Sequence, residues 1–174
     1  MPSIRILDCS LASYKYGESQ FVVAANAQDV WQLQGPAGTV AKIRFVGIGG
    51  TTPTVRTQQV LLFKRSTPTT GASGSIRTAI PVDSKDAASA SILTRWPTVT
   101  VPGNSIGQVD STTMTLNTGT TAIPQDHAVF DYRQVVQKAI VLNGANEYLC
   151  VNFNGSGTTV NDKIDFDLRW TEGT

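Results

Sequence analysis

The sequence of residues 147–171 is EYLCVNFNGSGTTVNDKIDFDLRWT. In its second half every second residue is apolar, namely Ile164, Phe166, Leu168 and Trp170. A shorter alternation of Leu149, Val151 and Phe153 precedes it, across a polar loop. A period of two places one set of side chains on each face of an extended strand. The stretch therefore predicts an antiparallel hairpin with one apolar and one charged face, which needs a facing sheet to cover it.

The composition is that of one β-rich globular domain. The chain has 174 residues, of which 40% are hydrophobic and 16% are charged. Thr, Ser, Gly and Asn are abundant, and this mixture is typical of strands joined by many turns. The hydrophobic fraction is too high for a disordered chain, and the length is sufficient for a single core.

Charge and hydropathy limit the classes of partner. A net charge of +1 without runs of like charge gives no electrostatic reason to expect binding to nucleic acid or to an anionic membrane. The sequence contains no apolar stretch of the length that a transmembrane helix needs. Residues 1–5 lack the pattern of a signal peptide. We therefore expect a protein that is made in a cytoplasm, with no nucleic-acid partner and no membrane partner.

The chain has two cysteines, Cys9 and Cys150, and both lie in strand-like stretches. In this context buried free thiols are favoured over a disulfide. Two scattered cysteines and a single histidine do not provide the ligand spacing of a zinc site. The sequence therefore predicts no metal site and no cofactor.

Turn signals divide the rest of the chain into about eight to ten short strands. The fold class predicted from this spacing is all-β, an antiparallel two-sheet sandwich, with a jelly roll of about eight strands favoured and an immunoglobulin-like sandwich as the alternative. Residues 59–64 form an apolar run typical of a central strand, and the alternation after residue 40 slips at Val46, which indicates a bulge or a bend. Residues 20–174 are expected to form this domain, with residues 1–19 as an N-terminal arm or first strand.

Two segments interrupt the strand pattern. Residues 66–75 form a long Ser/Thr/Gly loop, and loops of this length are often functional. Residues 83–90, DSKDAASA, contain alanines after a possible Asp83 or Ser84 cap. They are predicted to be the one short helix of the chain.

Residues that could carry catalysis are few. His127 is the only histidine. Asp126 and Asp131 lie near it and serines occur throughout the chain, so a triad pattern here is not specific, and a surface histidine is the favoured interpretation. Asp165 and Asp167 share one strand face, and glycosidases use pairs of carboxylates across a cleft. Lys163 and Arg169 flank them on that face, which favours a solvated charged surface. The sequence therefore predicts no catalytic residue and no enzyme.

Three further motifs point to structure more than to chemistry. The glycines of residues 47–50 follow a strand, but no helix follows them, so a dinucleotide site is not supported. Residues 154–156 match a glycosylation acceptor and are interpreted as a turn. Asn161 and Asp162 offer oxygen ligands for calcium, but without the ordered spacing of a calcium loop.

The tryptophans leave a ligand-binding alternative open. Trp31 and Trp170 are in phase with apolar neighbours and are predicted to lie in the core. Trp96 lies beside Pro97 in an irregular stretch and is expected to be the exposed aromatic residue. An exposed aromatic ring could stack on a sugar or contact another protein.

Several longer stretches resemble a known family. They are residues 61–67 (LLFKRST) with residues 81–88 (PVDSKDAA), and residues 139–144 (AIVLNG) with residues 149–155 (LCVNFNG) and 168–172 (LRWTE). Together they are similar to small virion proteins of tailed bacteriophages, over most of the chain from about residue 20. The resemblance implies a jelly-roll cement or decoration protein, often a trimer, that binds the major capsid protein on the virion head surface after synthesis in the bacterial host cytoplasm. It carries over no catalytic residues.

The leading hypothesis is therefore a structural capsid subunit. The alternatives are a carbohydrate- or receptor-binding module of a head or tail fibre, and a hydrolase that uses His127 or the two aspartates. Contact surfaces are expected in residues 66–75 and 83–96. The candidate interface residues are Arg65, Thr70, Ser73, Asp83, Lys85, Asp86, Arg95 and Trp96.

Overall fold

A computed structural model of the chain describes residues 11–25, 27–118, 126–133, 138–154 and 162–173. Within these ranges the regular secondary structure consists of fourteen strands, and no helix is present. The strands are β1 Ala12–Val22, β2 Asp29–Gln34, β3 Val40–Thr51, β4 Arg56–Arg65, β5 Thr70–Gly71, β6 Ser75–Arg77, β7 Ile80–Pro81, β8 Ile92–Arg95, β9 Thr100–Val101, β10 Ser105–Leu116, β11 Ala128–Asp131, β12 Ile140–Leu142, β13 Tyr148–Asn152 and β14 Lys163–Gly173.

The strands form two main sheets. In sheet I the strand order is β11-β3-β14-β1-β7, and β12 also pairs with β3. In sheet II the order is β10-β4-β13-β2-β8-β6, and β5 and β9 form a separate two-stranded sheet. Neighbouring strands run antiparallel throughout. The predicted antiparallel sandwich is confirmed, and its arrangement is consistent with a jelly roll.

The last two strands do not form the predicted hairpin. β13 pairs with β2 and β4 in sheet II, whereas β14 pairs with β1 and β3 in sheet I. The prediction was wrong because period-two alternation shows which side chains share a face, but not which strand lies alongside. The connection from residue 153 to residue 162 is also longer than the roughly two to five residues of a tight hairpin loop.

The apolar face of β14 lies in the core, as predicted. Ile164, Phe166, Leu168 and Trp170 are at most 3% exposed. Trp31 of sheet II stacks on the Phe166 ring of sheet I, with ring centroids 4.3 Å apart and an interplanar angle of 10°. Trp31 and Trp170 are therefore core residues, and aromatic stacking joins the two sheets.

Two other details of the strand prediction are confirmed. β4, which contains the apolar run of residues 59–64, lies between β10 and β13. The bulge in β3 is at Arg44, two residues before the predicted slip, because Arg169 pairs with Phe45 while the next residue, Trp170, pairs with Ile43. A bulge inserts one unpaired residue and re-aims the side chains around it.

The N-terminal part of the described chain belongs to sheet I. β1 pairs with β14 along most of its length and with β7 at Tyr14 and Lys15, so the expected division after residue 19 falls within a strand. The possible first strand at residues 3–10, and Cys9 with it, lie outside the described residues. Cys150 is fully buried and carries a free thiol, as expected for that cysteine.

The short helix predicted at residues 83–90 is wrong. Asp83 caps a single turn instead, in which the Lys85 backbone N–H donates to the Asp83 side chain (2.9 Å) and the Asp86 N–H donates to the Asp83 carbonyl (3.0 Å). The chain then continues without helix, and Ala90 donates a backbone hydrogen bond to Glu172 of β14. A segment this short has too little intrinsic helix stability to compete with such tertiary contacts. The described residues contain no helix long and apolar enough to cross a membrane.

Candidate functional site

Residues 66–104, here called the excursion, form the largest departure from a simple sandwich. They connect β4 to β10 and contain the five short strands β5 to β9. β8 and β6 extend sheet II, whereas β7 pairs with β1 at the edge of sheet I. The excursion is therefore attached to both sheets.

A buried cluster around Asp29 holds the two ends of the excursion, which we call its root, against sheet II. Asp29 is 1% exposed, and its carboxylate oxygens lie 2.7 and 2.8 Å from Nε and Nη2 of Arg65. Asn152 and the hydroxyl of Thr69 also donate hydrogen bonds to this carboxylate. Arg65 uses Nη1 to donate to the carbonyl of Gly103 (2.9 Å). The ion pair thus ties the segments that leave and re-enter sheet II, and Arg65 belongs to the fold.

Three neighbours complete this cluster on the outer face of sheet II. Gln32 accepts the backbone N–H of Thr69 (2.7 Å), and Thr100 donates to the carbonyl of Asp29 (3.1 Å). Cys150 lies 3.8 Å from the Thr69 hydroxyl. Burial, followed by the charge of Asp29, raises the pKa of the Cys150 thiol. The thiol therefore stays protonated near neutral pH, and its role is structural.

Glu172 of β14 clamps the far part of the excursion. Its carboxylate accepts hydrogen bonds from Ser89 Oγ (2.6 Å), the Ala90 N–H (2.9 Å), the Ser91 N–H (3.1 Å) and Trp170 Nε1 (2.8 Å). Burial by itself would raise the pKa of Glu172, but these hydrogen bonds outweigh it and hold the pKa below its usual value. The ionised carboxylate therefore fixes residues 89–91 against sheet I.

A third attachment joins β1 to the strands of the excursion. The Glu18 carboxylate pairs with Arg95 and with Arg77, which is 3.3 Å away, and accepts a hydrogen bond from Tyr16 Oη (2.8 Å). The Arg95 guanidinium lies 4.2 Å from the centroid of the Phe21 ring. Arg95, a candidate interface residue, is therefore half-buried in a joint between the two sheets.

The excursion exposes apolar side chains although it is held in place. Six of the eleven large hydrophobic residues that the described chain exposes lie on it, and they include Ile76 (73% exposed), Ile80 (69%) and Val82 (70%). The other three are Ile92, Val99 and Val101. This enrichment of exposed apolar side chains makes the excursion a candidate for contact with another molecule. These residues could not be identified from the sequence, because isolated aliphatic residues in a Ser/Thr-rich segment show no regular spacing.

The other candidate interface residues divide between surface and interior. Thr70, Ser73, Asp83 and Lys85 are exposed, and Asp86 is half-buried, where it accepts the backbone N–H of Ser13 (3.4 Å). The structure describes their exposure but contains no partner that would show contact.

The expectation that Trp96 is exposed was wrong, since it is only 5% exposed. The excursion folds over the indole, and a Cβ atom at Gly74 would lie 2.6 Å from Trp96 Nε1. Pro97 does mark an irregular backbone, but the cover comes from residues more than twenty positions away in sequence. An exposed Trp96 ring is therefore not available as a sugar-stacking platform.

A pocket of about 450 Å³ opens on the outer face of sheet I. Its lining includes His127, Asp165 and Asp167, so the structure brings together the residues that the sequence singled out for possible chemistry. Phe45 and three strand glycines also line it, and we call it the sheet I pocket. Asp167 pairs with Arg169 Nη2 (2.7 Å), as expected for a solvated charged face.

Two aromatic rings lie directly over glycines of this pocket. A Cβ atom at Gly47 would lie 2.7 Å from the Phe45 ring, and one at Gly49 would lie 2.4 Å from Cδ2 of His127. Gly47 and Gly49 belong to β3, which agrees with the sequence-based exclusion of a dinucleotide loop. In the described residues the His127 imidazole has no hydrogen bond to Asp165 or Asp167, so this geometry does not assemble a catalytic triad.

Residues of the possible calcium and glycosylation motifs contact other parts of the fold. Asp162 is fully buried and pairs with Arg56, whereas Asn161 lies outside the described residues. The Asn154 amide donates to Gln59 Oε1 (2.8 Å), and the other two residues of the possible glycosylation motif are not among those described. Within the described ranges, no group of three His, Cys, Asp or Glu side chains is placed to hold a metal ion.

Comparison of the chain with models of known families, with curated protein sequences and with solved structures gives no match.

Proposed function

We propose that the protein is a structural virion subunit of a tailed bacteriophage, a capsid cement or decoration protein that binds the major capsid protein through the excursion. The observation that carries this proposal is the set of exposed aliphatic side chains on a segment that is fixed to the sandwich at three places. The sequence resemblance to small phage virion proteins supplies the biological setting.

The energetics favour an interaction surface of this kind. Removing apolar surface from water contributes roughly 25 cal/mol per Å², so side chains such as Ile76, Ile80 and Val82 can provide much of a binding free energy. Association also costs conformational entropy wherever a loop must be ordered. The attachments at Asp29, Glu172 and Glu18 order the excursion before any partner arrives. They therefore lower this cost.

Cementing follows from mass action. A subunit that binds the assembled shell, but not the free capsid protein, stabilises the shell by its binding free energy. We further propose a homotrimer located on the head surface, since symmetric oligomers bury matched patches and capsids offer three-fold positions. This function requires no enzyme activity and no cofactor.

The alternative function, a carbohydrate- or receptor-binding module of a head or tail fibre, no longer rests on Trp96. The sheet I pocket now favours it, and that feature is independent of the excursion. A hydrolase remains the third proposal, with its candidate residues in the same pocket but without an assembled triad.

The test is co-sedimentation of the purified protein with capsid shells of the encoding phage from which this subunit has been removed. The double variant Ile80→Ser/Val82→Ser should bind at least about tenfold more weakly than wild type, a loss of roughly 1.4 kcal/mol. The matched control is Val22→Ser/Val55→Ser, which changes two exposed valines outside the excursion and should bind like wild type. Equal binding by both double variants would reject the excursion as the contact surface.

Light scattering tests the oligomer in the same preparation. A trimer should have three times the 18.6 kDa mass of the chain. A monomeric mass at working concentration would contradict the trimer, and it would leave the capsid contact to be judged by co-sedimentation.

A further inference from the structure

We propose that the sheet I pocket binds one ring of a neutral saccharide. This site is separate from the excursion, and its function does not depend on the capsid contact. The inference rests on the shape of the pocket floor, on polar groups that can form further hydrogen bonds, and on the balance of charge.

The floor is shaped by glycines in register. Gly17 of β1 and Gly47 of β3 lie on either side of Asp167 of β14, and Gly49 lies opposite Asp165. Glycine weakens a strand interior and often marks a place where a ligand approaches the backbone closely. The space over Gly47 and Gly49 is occupied by the Phe45 and His127 rings.

Gly17 differs from the other two glycines. The nearest atoms to a Cβ placed there would be the Phe166 carbonyl oxygen at 3.9 Å and Lys15 Cε at 4.0 Å. Steric packing therefore does not explain why residue 17 is a glycine. A trough remains open between β1 and the wall formed by Phe45, His127 and Val129.

The polar groups of the pocket match hydroxyl groups. Asp165 uses Oδ1 to accept the Gln20 N–H (2.8 Å), which leaves acceptor sites on Oδ2. The His127 imidazole has no hydrogen-bond partner within the described residues. The Lys15 side chain is half exposed and is 3.9 Å from Asp167, so Nζ can donate to a ligand. Because each hydroxyl both donates and accepts, mixed donors and acceptors around a cavity suit a polyol.

Apolar walls complete the recognition. Phe45 lines the trough, and Val129 is 53% exposed beside it. Small-molecule sites are typically apolar cavities with a few placed polar groups, and 450 Å³ is within their usual size range. A pyranose ring presents an apolar C–H face and a polar edge, and both would find partners here.

The charge balance argues against other ligand classes. Asp165 and Asp167 would repel a phosphate or a carboxylate, and Lys15 is the one Lys or Arg side chain among the lining residues. Glu18 also lines the pocket, but its carboxylate pairs with Arg95 and Arg77, and Asp167 pairs with Arg169. The site therefore lacks the excess negative charge that a polyamine would need. A neutral ligand fits this balance best.

The test uses His127 as a reporter, since the chain contains one histidine. Isotope-labelled protein is titrated with glucose, galactose, mannose and N-acetylglucosamine, and separately with inorganic phosphate, while the imidazole resonances are followed by NMR. At least one sugar should shift His127 together with the Gly17, Gly49 and Val129 amides. If no sugar shifts these signals, or if phosphate alone does, the proposal is wrong.

The variant Gly17→Val fills the open trough. A strand readily accepts valine, and the added Cβ meets only ordinary contacts, so the fold should be retained. Affinity for the responding sugar should fall at least about tenfold. The matched control, Gly107→Val on β10, has no atom within 4 Å of its Cβ and should bind like wild type. Sugar binding that survives Gly17→Val would also overturn the proposal.

Failure of this proposal can be distinguished from failure of the capsid proposal. Gly17→Val should co-sediment with capsid shells as wild type does, because it lies outside the excursion. Loss of sugar binding with retained shell binding would establish two separate sites.

Discussion

β13 and β14 are neighbours in sequence with similar alternation, yet their outer faces differ. In β13 all five residues are buried, including the outward-facing Tyr148, Cys150 and Asn152. In β14 the apolar residues are buried, while Asp165, Asp167 and Arg169 remain partly exposed. The difference arises because the root of the excursion covers the outer face of sheet II and leaves the outer face of sheet I open.

This comparison shows that the polar residues of a strand can have two different roles. Under the excursion, Asp29 and Arg65 form a buried ion pair whose loss would leave an unpaired charge. On the open face, Asp167 and Arg169 form a solvated pair of small energetic value. The covered face is used for structure, and the open face is free to bind a ligand.

Phe166→Ala tests the inner face that both strands share. Phe166 is 3% exposed and stacks on Trp31, so truncation should lower the free energy of unfolding by about 3–5 kcal/mol. Chemical denaturation measures the change. Phe45→Ala is the control on the outer face of sheet I and should cost much less. A similar loss for both variants would mean that the faces of sheet I are assigned wrongly.

Asp29→Ala tests the covered face of sheet II. Removing the carboxylate leaves Arg65 buried without its counter-ion and should destabilise the protein by at least about 3 kcal/mol. Asp167→Ala removes an aspartate from the open face and should cost at most about 1 kcal/mol. Denaturation of the two variants side by side gives the comparison. Equal effects would contradict the distinction between covered and open faces.

Glu172→Gln tests the clamp on the far part of the excursion through its pH dependence. A carboxylate whose pKa is lowered by folding contributes stability above its unfolded pKa of about 4.3, and this contribution is lost as the pH falls through the folded pKa. The variant should lose about 1–3 kcal/mol near neutral pH. It should therefore show a weaker decline in stability than wild type on acidification to about pH 3. If the free energy of unfolding of the variant declined on acidification as steeply as that of wild type, the Glu172 carboxylate would not have this role.

Ile80→Ser/Val82→Ser should have the smallest effect on stability. Both side chains are about 70% exposed, so the free energy of unfolding should change by no more than roughly 0.5 kcal/mol per site. Thermal unfolding is sufficient to check this. A large loss would show that the side chains support the fold, and it would weaken their assignment to a partner.

The sequence predicts the local part of this structure well. Alternation identifies the buried face of β14 and the irregularity in β3, because burial on one face of a strand leaves a period of two. The continuous apolar run of residues 59–64 identifies the central position of β4. Thr and Gly abundance predicts the loop-rich character of the excursion.

Long-range contacts account for what the sequence does not predict. The connection between β13 and β14 crosses from one sheet to the other, which alternation cannot show. Residues 83–90 have local helix propensity, but Glu172 holds the segment in another conformation. Trp96 is covered by Gly71 and Gly74 of the same excursion. The sheet I pocket joins residues from β1, β3, β14 and the start of β11, so no single stretch of sequence carries its pattern.

Electron cryo-microscopy of purified virions tests whether the protein is a capsid subunit that binds through the excursion. We expect density for the sandwich at capsomer junctions, with the excursion side chains Ile76, Ile80 and Val82 against the major capsid protein and the sheet I pocket open to solvent. Particles that lack the protein, or a subunit that contacts the shell through the outer face of sheet I, would contradict it.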